Sequence, residues 1–592
     1  MSYRAPLDDM LCAMSHAAGM KEGLASGLYA DLADDVAQTV MGEAAKFAQD
    51  ILDPINRAGD QHGAKLVNGE VTTAPGWKEA YAHWRDGGWT GLAASSQHGG
   101  MGLPHLLQSA CFEMWTGANM AFMLAPCLSF GAIDALEAHG SEALKKTWLP
   151  RIVSGEWPAT MNLTEPQAGS DLAALRSKAE RNPDGTYRIF GQKIFITYGD
   201  HDLSDNIVHL VLARLPDAPA GTRGISLFLV PKFLLKPDGS PGARNDVRCA
   251  GLEHKMGIHG SPTCVMSYGE DGGATGWLIG EENRGLACMF AMMNSARLAV
   301  ALQGVGQAER AYQRALAYAR ERRQGKASAY TGAGMAPIVH HPDVARDLMM
   351  MKAMTQAARA ICYQTANALD VSHRAPDEAA RKAGAARGSL LTPLAKGFST
   401  DIANEATSIG VQIHGGMGFI EETGAAQDMR DARIAAIYEG TNGIQAIDLV
   451  VRKLPLDGGE PMRREIADMR ATLARLDQIN APEFGATGAR LRAAIDALER
   501  ATAFMLDKLA SAPDDALAGA TPFLRLFAHA RGGVSLVAMA LATRGEANNS
   551  ERVATARFFA EQVAVGAPGL EATIVEGAQG LRDAMAVLGS VV

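Results

Sequence analysis

The strand-like runs of this 592-residue chain fall in one block, from about residue 161 to 280, with helix-like sequence on both sides. Tyr187-Arg188-Ile189-Phe190, Ile194-Phe195-Ile196, Ile207 to Leu212 and Ile225 to Val230 are short and rich in β-branched or aromatic residues. Pro183-Asp184-Gly185 and Pro237-Asp238-Gly239 punctuate them. Several short strands at this spacing predict a small barrel or sandwich. The expected fold is mainly α with a central β-domain.

Helical character covers Leu24 to Leu52, the apolar segment Leu106 to Leu136, and Ala287 to Arg323, which has no proline. Gln97 to Pro104 is a turn cluster, and Gln324 to Pro342 is a loop loaded with Gly, Ala and Ser. Leu454 to Pro461 reads as a linker, after which an Ala/Leu/Arg-rich helical segment follows. A chain this long exceeds one core. The expected domains are 1–160 (helical), 161–280 (β), 281–455 (helical) and 456–592 (a further helical domain).

The formal net charge is −9, so the molecule as a whole has no attraction for nucleic acid or anionic lipid. Residues 456–592 carry 14 Lys and Arg against 17 Asp and Glu, the wrong sign for a DNA-binding tail. The seven cysteines are scattered and never spaced C-x-x-C, which argues against a disulfide framework or thiolate zinc site and fits a reducing compartment. His340-His341 lacks a second ligand pair, so no metal is expected. Met1 to Pro6 shows no basic region leading into an apolar run, and no uninterrupted apolar stretch reaches bilayer length. A cytoplasmic protein with no membrane role is the expectation.

Tyr438-Glu439-Gly440-Thr441-Asn442-Gly443 places one carboxylate in a glycine-flanked turn between the apolar run Ile434 to Ile437 and another helix. Glu beside Gly is usually solvated. At such a junction it can instead be desolvated, which strengthens it as a base for a proton next to a carbonyl. Thr164-Glu165-Pro166-Gln167-Ala168-Gly169-Ser170-Asp171 reads either as a strand-end turn with an N-cap or as hydroxyls and N–H groups lining a ring. Phe195 and Thr197 are ordinary strand residues or neighbours of the same ring. Gly415, Gly416 and Gly418 match no dinucleotide or Walker pattern and read alone as a tight turn. Arg297 sits on an apolar helix, where a lone arginine usually snorkels or pairs.

In combination, Met161 to Asp171, Gln192 to Thr197, Glu253-His254-Lys255-Met256-Gly257, Arg297, Gln412 to Phe419 and Tyr438 to Gln445 resemble the acyl-CoA dehydrogenase family over roughly residues 80 to 453. The resemblance implies a helical domain, a small β-barrel and a four-helix bundle, with FAD as cofactor and an acyl-CoA thioester as substrate. It implies that Glu439 removes the α-proton while the β-hydrogen leaves as hydride to the flavin on the opposite face. A flavin ribityl hydroxyl and the Glu439 N–H would hold the thioester oxygen.

By the same matching, Met161, Leu163, Thr164, Phe195 and Thr197 lie along the flavin, and Ser170 touches flavin or the pantetheine arm. Thr441 binds FAD near the turn, while Arg322 holds the pyrophosphate. Gln412, Gly415 and Gly416 reach the adenosine of a neighbouring subunit's FAD. Arg297 and Gly440 support the substrate. Arg322-Arg323-Gln324-Gly325 lacks the phenylalanine with which the family often covers the adenine. The helical tail and Glu253 to Thr263 resemble a long subgroup of the family. That likeness implies 3-methylthiopropionyl-CoA as substrate, within dimethylsulfoniopropionate breakdown, with an ordinary acyl-CoA or an oxidase reaction as alternatives. It further implies an electron-transfer flavoprotein as acceptor and a homodimer in which the tail covers the surface of the usual tetramer.

Overall fold

A computed structural model describes all residues except Met1, Asp31, Ala33, Asn480, Val591 and Val592. Short helices and turns fill most of the first hundred residues, and α1 (His105–His139) then crosses the core. The segment Leu24 to Leu52 is not one helix: helix Met20–Ala25 gives way to turns before Asp34–Lys46 and the wider turn Phe47–Leu52. Gly27 adopts φ +80° and breaks it. A hairpin, Lys65–Val67 with Glu70–Thr72, also interrupts this helical unit.

The β-domain comprises β1 (Ala159–Asn162), β2 (Lys178–Arg181), β3 (Tyr187–Thr197), β4 (Val208–Arg214), β5 (Ile225–Pro231), β6 (Val247–Leu252), β7 (Thr263–Tyr268) and β8 (Ala274–Ile279). Their order is β6-β7-β3-β8-β5-β4-β1, and β2 pairs with both β3 and β4. That double pairing closes β3, β8, β5, β4 and β2 into a ring, so the unit is barrel-like. The two runs at 187–190 and 194–196 form one strand, with a register shift against β7 between Lys193 and Ile196. β1 runs parallel to β4, Ala159 facing Val208.

Three long helices follow: α2 (Gly285–Glu321), α3 (Pro342–Arg374) and α4 (Glu378–His414). After them come the short helix α5 (Asn442–Asp448) and helices that include α6 (Glu460–Ile479) and α7 (Ala520–Ala542). The expected linker is largely consumed, since α6 begins at Glu460 and Asp457 turns the chain at φ +48°. One continuous apolar core runs from Met10 through Leu107, Leu302, Ile361 and Leu394 to Phe527. The barrel keeps a second core around Ile189, Val211, Phe228 and Met266.

Helices α1, α2 and α7 are long and apolar enough to cross a bilayer by length and composition, which corrects the expectation drawn from uninterrupted runs. Scattered Ser, Thr and Asn residues interrupt those runs without making the helices polar. The most apolar windows of the three are 94, 61 and 83% buried inside the protein, so most of their apolar surface is already covered.

A buried guanidinium joins these helices. Arg359 of α3 donates from Nε to Glu113 of α1 at 2.8 Å and from Nη2 to Glu309 of α2 at 2.9 Å. Tyr363 donates to the other Glu113 oxygen at 2.7 Å. Taking one partner from such a cluster leaves an uncompensated buried charge. Glu113→Ala is expected to lower the unfolding free energy by about 3–5 kcal/mol. Denaturant unfolding measures this, and an unchanged midpoint would refute the linking role.

Candidate active site

Glu439 stands between the 3-10 turn Arg433–Ala436 and α5, with φ +55°, and Gly440 follows at φ +84°. Two left-handed residues in a row reverse the chain so that the glutamate projects from the turn. At Gly440 the left-handed backbone favours glycine, and a Cβ would also crowd the Gln445 amide, 2.8 Å away. Gln445 donates to the carbonyls of Glu439 at 3.0 Å and Gly440 at 3.3 Å. Thr441 caps α5, its hydroxyl oxygen accepting from Ile444 N at 3.3 Å.

Burial pushes the Glu439 carboxyl up to about 7, against the opposing pull of Arg297 and Lys396. Arg297 is buried on α2 and donates to Asp448 at 3.3 Å, while its Nε has no protein partner. Tyr438 donates its hydroxyl to Gln303, whose Nε2 is likewise unpartnered. With Gln445 Oε1, three buried polar atoms near this turn have no acceptor or donor in the protein. Among the described residues, no carbonyl or side chain accepts from the Glu439 N–H. The turn therefore offers a base of raised proton affinity beside unused hydrogen-bonding groups.

The barrel contributes a second set. Phe195 on β3 is 57% exposed and holds φ +60°, rare for an aromatic residue. It sits at the register shift between β3 and β7, which presents its ring outward. Ile194 N donates to the Thr164 carbonyl at 2.9 Å, so the 163–170 loop lies beside this strand. Lys193, fully buried, braces that loop by donating to Glu165 at 2.8 Å and to the Leu163 carbonyl at 3.1 Å. Burial opposes the charge on Glu165, yet Lys193, Ser177 and the Arg176 N–H bring it down to about 2. Lys193 and Glu165 stood out in the sequence only as members of Gln192 to Thr197 and Thr164 to Asp171. Their signal was a lysine and a glutamate inside strand-like surroundings.

Met161, Leu163, Thr164 and Thr197 are partly exposed at this edge, and Ser170 is exposed. The uncovered Phe195 ring beside a rigid polar loop fits a large flat group such as an isoalloxazine. Arg322, Gln412, Gly415 and Gly416 are not brought to Glu439 within one chain. Gln412 lies about 24 Å further along α4 than Lys396, which touches the turn. Arg322 ends α2 at that same far end, where Tyr318 stacks on His414 at 4.4 Å. Gln412, Gly415 and Gly416 are exposed there, beside Phe419 at 84% exposure.

The segment Glu253 to Thr263 ties the barrel to the helix Ala425–Ala432, which precedes the turn. Ile258 N donates to Asp431 at 2.5 Å, and Arg430 pairs with Asp60 at 2.7 Å. A Cβ at Gly257 would sit 2.4 Å from the Arg430 carbonyl, so glycine permits this approach. Among the described residues no group of three or more His, Cys, Asp or Glu is placed to hold a metal.

Four family models match consecutive parts of the chain. They are the acyl-CoA dehydrogenase N-terminal domain (35–156), middle domain (160–270) and C-terminal domain (283–454), and an acetyl-CoA dehydrogenase C-terminal-like domain (466–585). The chain is 46% identical to a 3-methylmercaptopropionyl-CoA dehydrogenase of Ruegeria pomeroyi, over 95% of this chain and 96% of that protein. The chain belongs to the acyl-CoA dehydrogenase family. It is also 40% identical to a butyryl-CoA dehydrogenase of Syntrophomonas wolfei, over 74% of this chain and 73% of that one. A solved acyl-CoA dehydrogenase of Bacillus anthracis, complexed with FAD, shares the fold at TM-score 0.75 and 23% identity, over 95% of this chain and 92% of the other.

This acyl-CoA dehydrogenase is an FAD-dependent oxidoreductase, as its family membership establishes. The Lys193 brace makes a test of where the flavin sits. Lys193→Met is expected to weaken FAD binding by about tenfold or more, about 1.4 kcal/mol. Flavin absorbance per protein after gel filtration and a reconstitution titration read this, and wild-type retention would remove the barrel loop from the cofactor site.

Proposed function

We propose that this enzyme oxidises 3-methylthiopropionyl-CoA to 3-methylthioacryloyl-CoA, in dimethylsulfoniopropionate breakdown, with Glu439 as the base. The substrate rests on one observation: 46% identity sustained over almost the whole length of a 3-methylmercaptopropionyl-CoA dehydrogenase, the C-terminal helices included. A plain short-chain acyl-CoA is the second reading, favoured by the butyryl-CoA dehydrogenase at 40% identity.

When bound, FAD supplies the acceptor for the β-hydrogen. The protein's own part begins at the thioester carbonyl, where the unengaged Glu439 N–H donates and acidifies the α-carbon. Glu439, which follows apolar Ile437 and half-buried Tyr438, takes the α-proton. Met161, Leu163, Thr164, Phe195, Thr197 and Thr441 bound the flavin, and Ser170 and Gly440 border the substrate. Arg297 acts from beside the turn, its charge restraining the proton affinity of Glu439. Arg322, Gln412, Gly415 and Gly416 serve the adenosine end, the last three toward a second subunit's FAD.

A homodimer follows in this reading. The exposed Met417, Phe419 and Ile420 support it as apolar surface beside those glycines. Static light scattering that gives a tetramer or a monomer would remove it. An electron-transfer flavoprotein is the proposed acceptor, as for the family at large. All seven cysteines are free and buried, which supports a cytoplasmic setting.

Anaerobic titration of the FAD-loaded enzyme with 3-methylthiopropionyl-CoA, butyryl-CoA and octanoyl-CoA tests both substrate readings. The thioether ester is expected to bleach the flavin at the lowest concentration. Equal or better bleaching by butyryl-CoA would keep the dehydrogenase and sink the thioether. Glu439→Gln is expected to slow bleaching by about 10²–10⁴-fold. The base works only when deprotonated, so the wild-type rate should fall as pH drops through about 7. A flat profile from pH 5.5 to 9 would contradict that assignment.

A further inference from the structure

A fully buried lysine lies behind the catalytic turn. Lys396 of α4 donates from Nζ to the Gly440 carbonyl at 2.8 Å and to Asn442 Oδ1 at 3.0 Å. Asn442 in turn donates from Nδ2 to Asp401 at 2.6 Å and to the Gly397 carbonyl at 3.1 Å. Thr400 Oγ1 lies 3.1 Å from Asn442 Oδ1. One face of α4 thus grips the two residues that flank Thr441, and does so through a cation.

Hydrogen bonds alone would not require that cation. A buried ammonium costs several kcal/mol unless an opposite charge offsets it, and Gly440 and Asn442 offer only neutral oxygens. The residue has no route to water on its far side either. There α7 of the C-terminal helices packs so closely that a Cβ at Gly397 would lie 2.7 Å from Leu524 Cδ1. Arg525, the next residue, is held away by Glu405 at 2.6 and 3.0 Å. The carboxylates that can compensate Lys396 are Glu439 and Asp401.

We propose that Lys396 is a positioning residue for Glu439: it pins the left-handed turn through Gly440 and Asn442, and its charge keeps the glutamate ionised for proton abstraction. The inference rests on the reading of Glu439 as the base.

The charged and titratable groups around the pair come from every neighbouring element. They are Cys127 of α1, Arg297 of α2, Asp401 of α4, Tyr438 of the turn, Asp448 of α5 with its partner Arg452, and Arg525 of α7. Asp448 is already shared between Arg297 at 3.3 Å and Arg452 at 2.5 Å, which leaves Lys396 as the cation not tied to that carboxylate. Burial lowers Lys396 to about 7, with Glu439 and Asp401 opposing. Glu439 is raised to about 7, and Arg297 and Lys396 oppose that rise. The sign follows: removing the ammonium raises the proton affinity of Glu439 and moves the acid limb of the rate to higher pH.

The test uses holoenzyme carrying Lys396→Gln, which keeps a hydrogen-bond donor without the charge, and Lys396→Arg, which keeps the charge. Single-turnover flavin bleaching is followed from pH 5.5 to 9 with whichever of the three esters bleaches best. Lys396→Gln is expected to shift the acid limb up by about one unit. Its rate should fall about tenfold at pH 6.5 and stay near wild type at pH 9, while Lys396→Arg holds the wild-type limb. An unmoved limb with a rate lowered evenly at all pH values would overturn the proposal, because a purely structural lysine would do that.

Infrared difference spectra between pH 6 and 9, with Glu439→Gln as reference for the carboxyl band, read the same shift without turnover and without bound flavin. A band that titrates at the wild-type pH in Lys396→Gln also overturns it. Unimpaired bleaching by Glu439→Gln would overturn the base assignment itself, and this inference with it. Lost bleaching there, beside an unmoved Lys396→Gln limb, removes only the role of the lysine.

Discussion

Three long helices with apolar surfaces can slide past one another at small cost, and Arg359 is what forbids it here. Its guanidinium sits between Glu113 and Glu309, with no exposed surface, so a slip of one turn (about 5.4 Å) would strand three charges inside the core. The site depends on that register. Cys127 lies beyond Glu113 on α1, past a break in the helix at Asn119, and Arg297 lies between three and four turns before Glu309 on α2. Both are close enough to Glu439 to act electrostatically. The opposite end of α2 is capped by Arg322.

The two halves of the site use the same device. Phe195 on the barrel and Glu439 on the turn each hold a left-handed backbone that costs about 1–3 kcal/mol for a residue with a side chain. Each lies beside a loop braced by a fully buried lysine, Lys193 for the 163–170 loop and Lys396 for the turn. The lysines differ in what balances them. Lys193 has a carboxylate at 2.8 Å that the surrounding N–H groups hold ionised, and it forms a closed structural pair. Lys396 touches only neutral oxygens, so its balance is left to Glu439 and Asp401. A closed pair suits a rigid cofactor wall, and an open one suits a group that must gain and lose a proton.

The order of helical, β and helical units was legible in the sequence because strand-like and helix-like periodicities separate cleanly along the chain. β1, β2, β6, β7 and β8 were not, since Lys178–Arg181 and Val247–Leu252 carry charged or glycine residues that mask alternation. Pairing makes them strands (β2, β7 and β8 with β3, β1 with β4, β6 with β7), and pairing is a non-local fact. The turn at Glu439 was legible, but the pattern left its carboxylate either solvated or a desolvated base, and only the resemblance singled it out. Lys396 was invisible: a lysine in Pro393-Leu394-Ala395-Lys396-Gly397 reads as a snorkelling surface residue until the turn and α7 close over it. The reach of Gln412 to a second subunit came from resemblance, and one chain supplies only its exposure.

The C-terminal helices pack against α4 directly behind the turn that carries Glu439. Their inner face meets α4 at Leu524, against Gly397, and at His529, which packs edge-on to Phe398 with both ring nitrogens unpartnered. Burial drives that imidazole far below its usual range, so it stays neutral and adds no charge behind Lys396. Arg531, which is buried, is turned away from the site and neutralised by Glu465 and Asp468 of α6 at 3.2 and 2.5 Å. Arg525 is engaged by Glu405. Every basic group that α7 brings near α4 is therefore either neutral or paired, and the apolar residues between them keep water out. A wall of that kind leaves the field at the turn to Arg297 and Lys396, the two cations that hold down the proton affinity of Glu439.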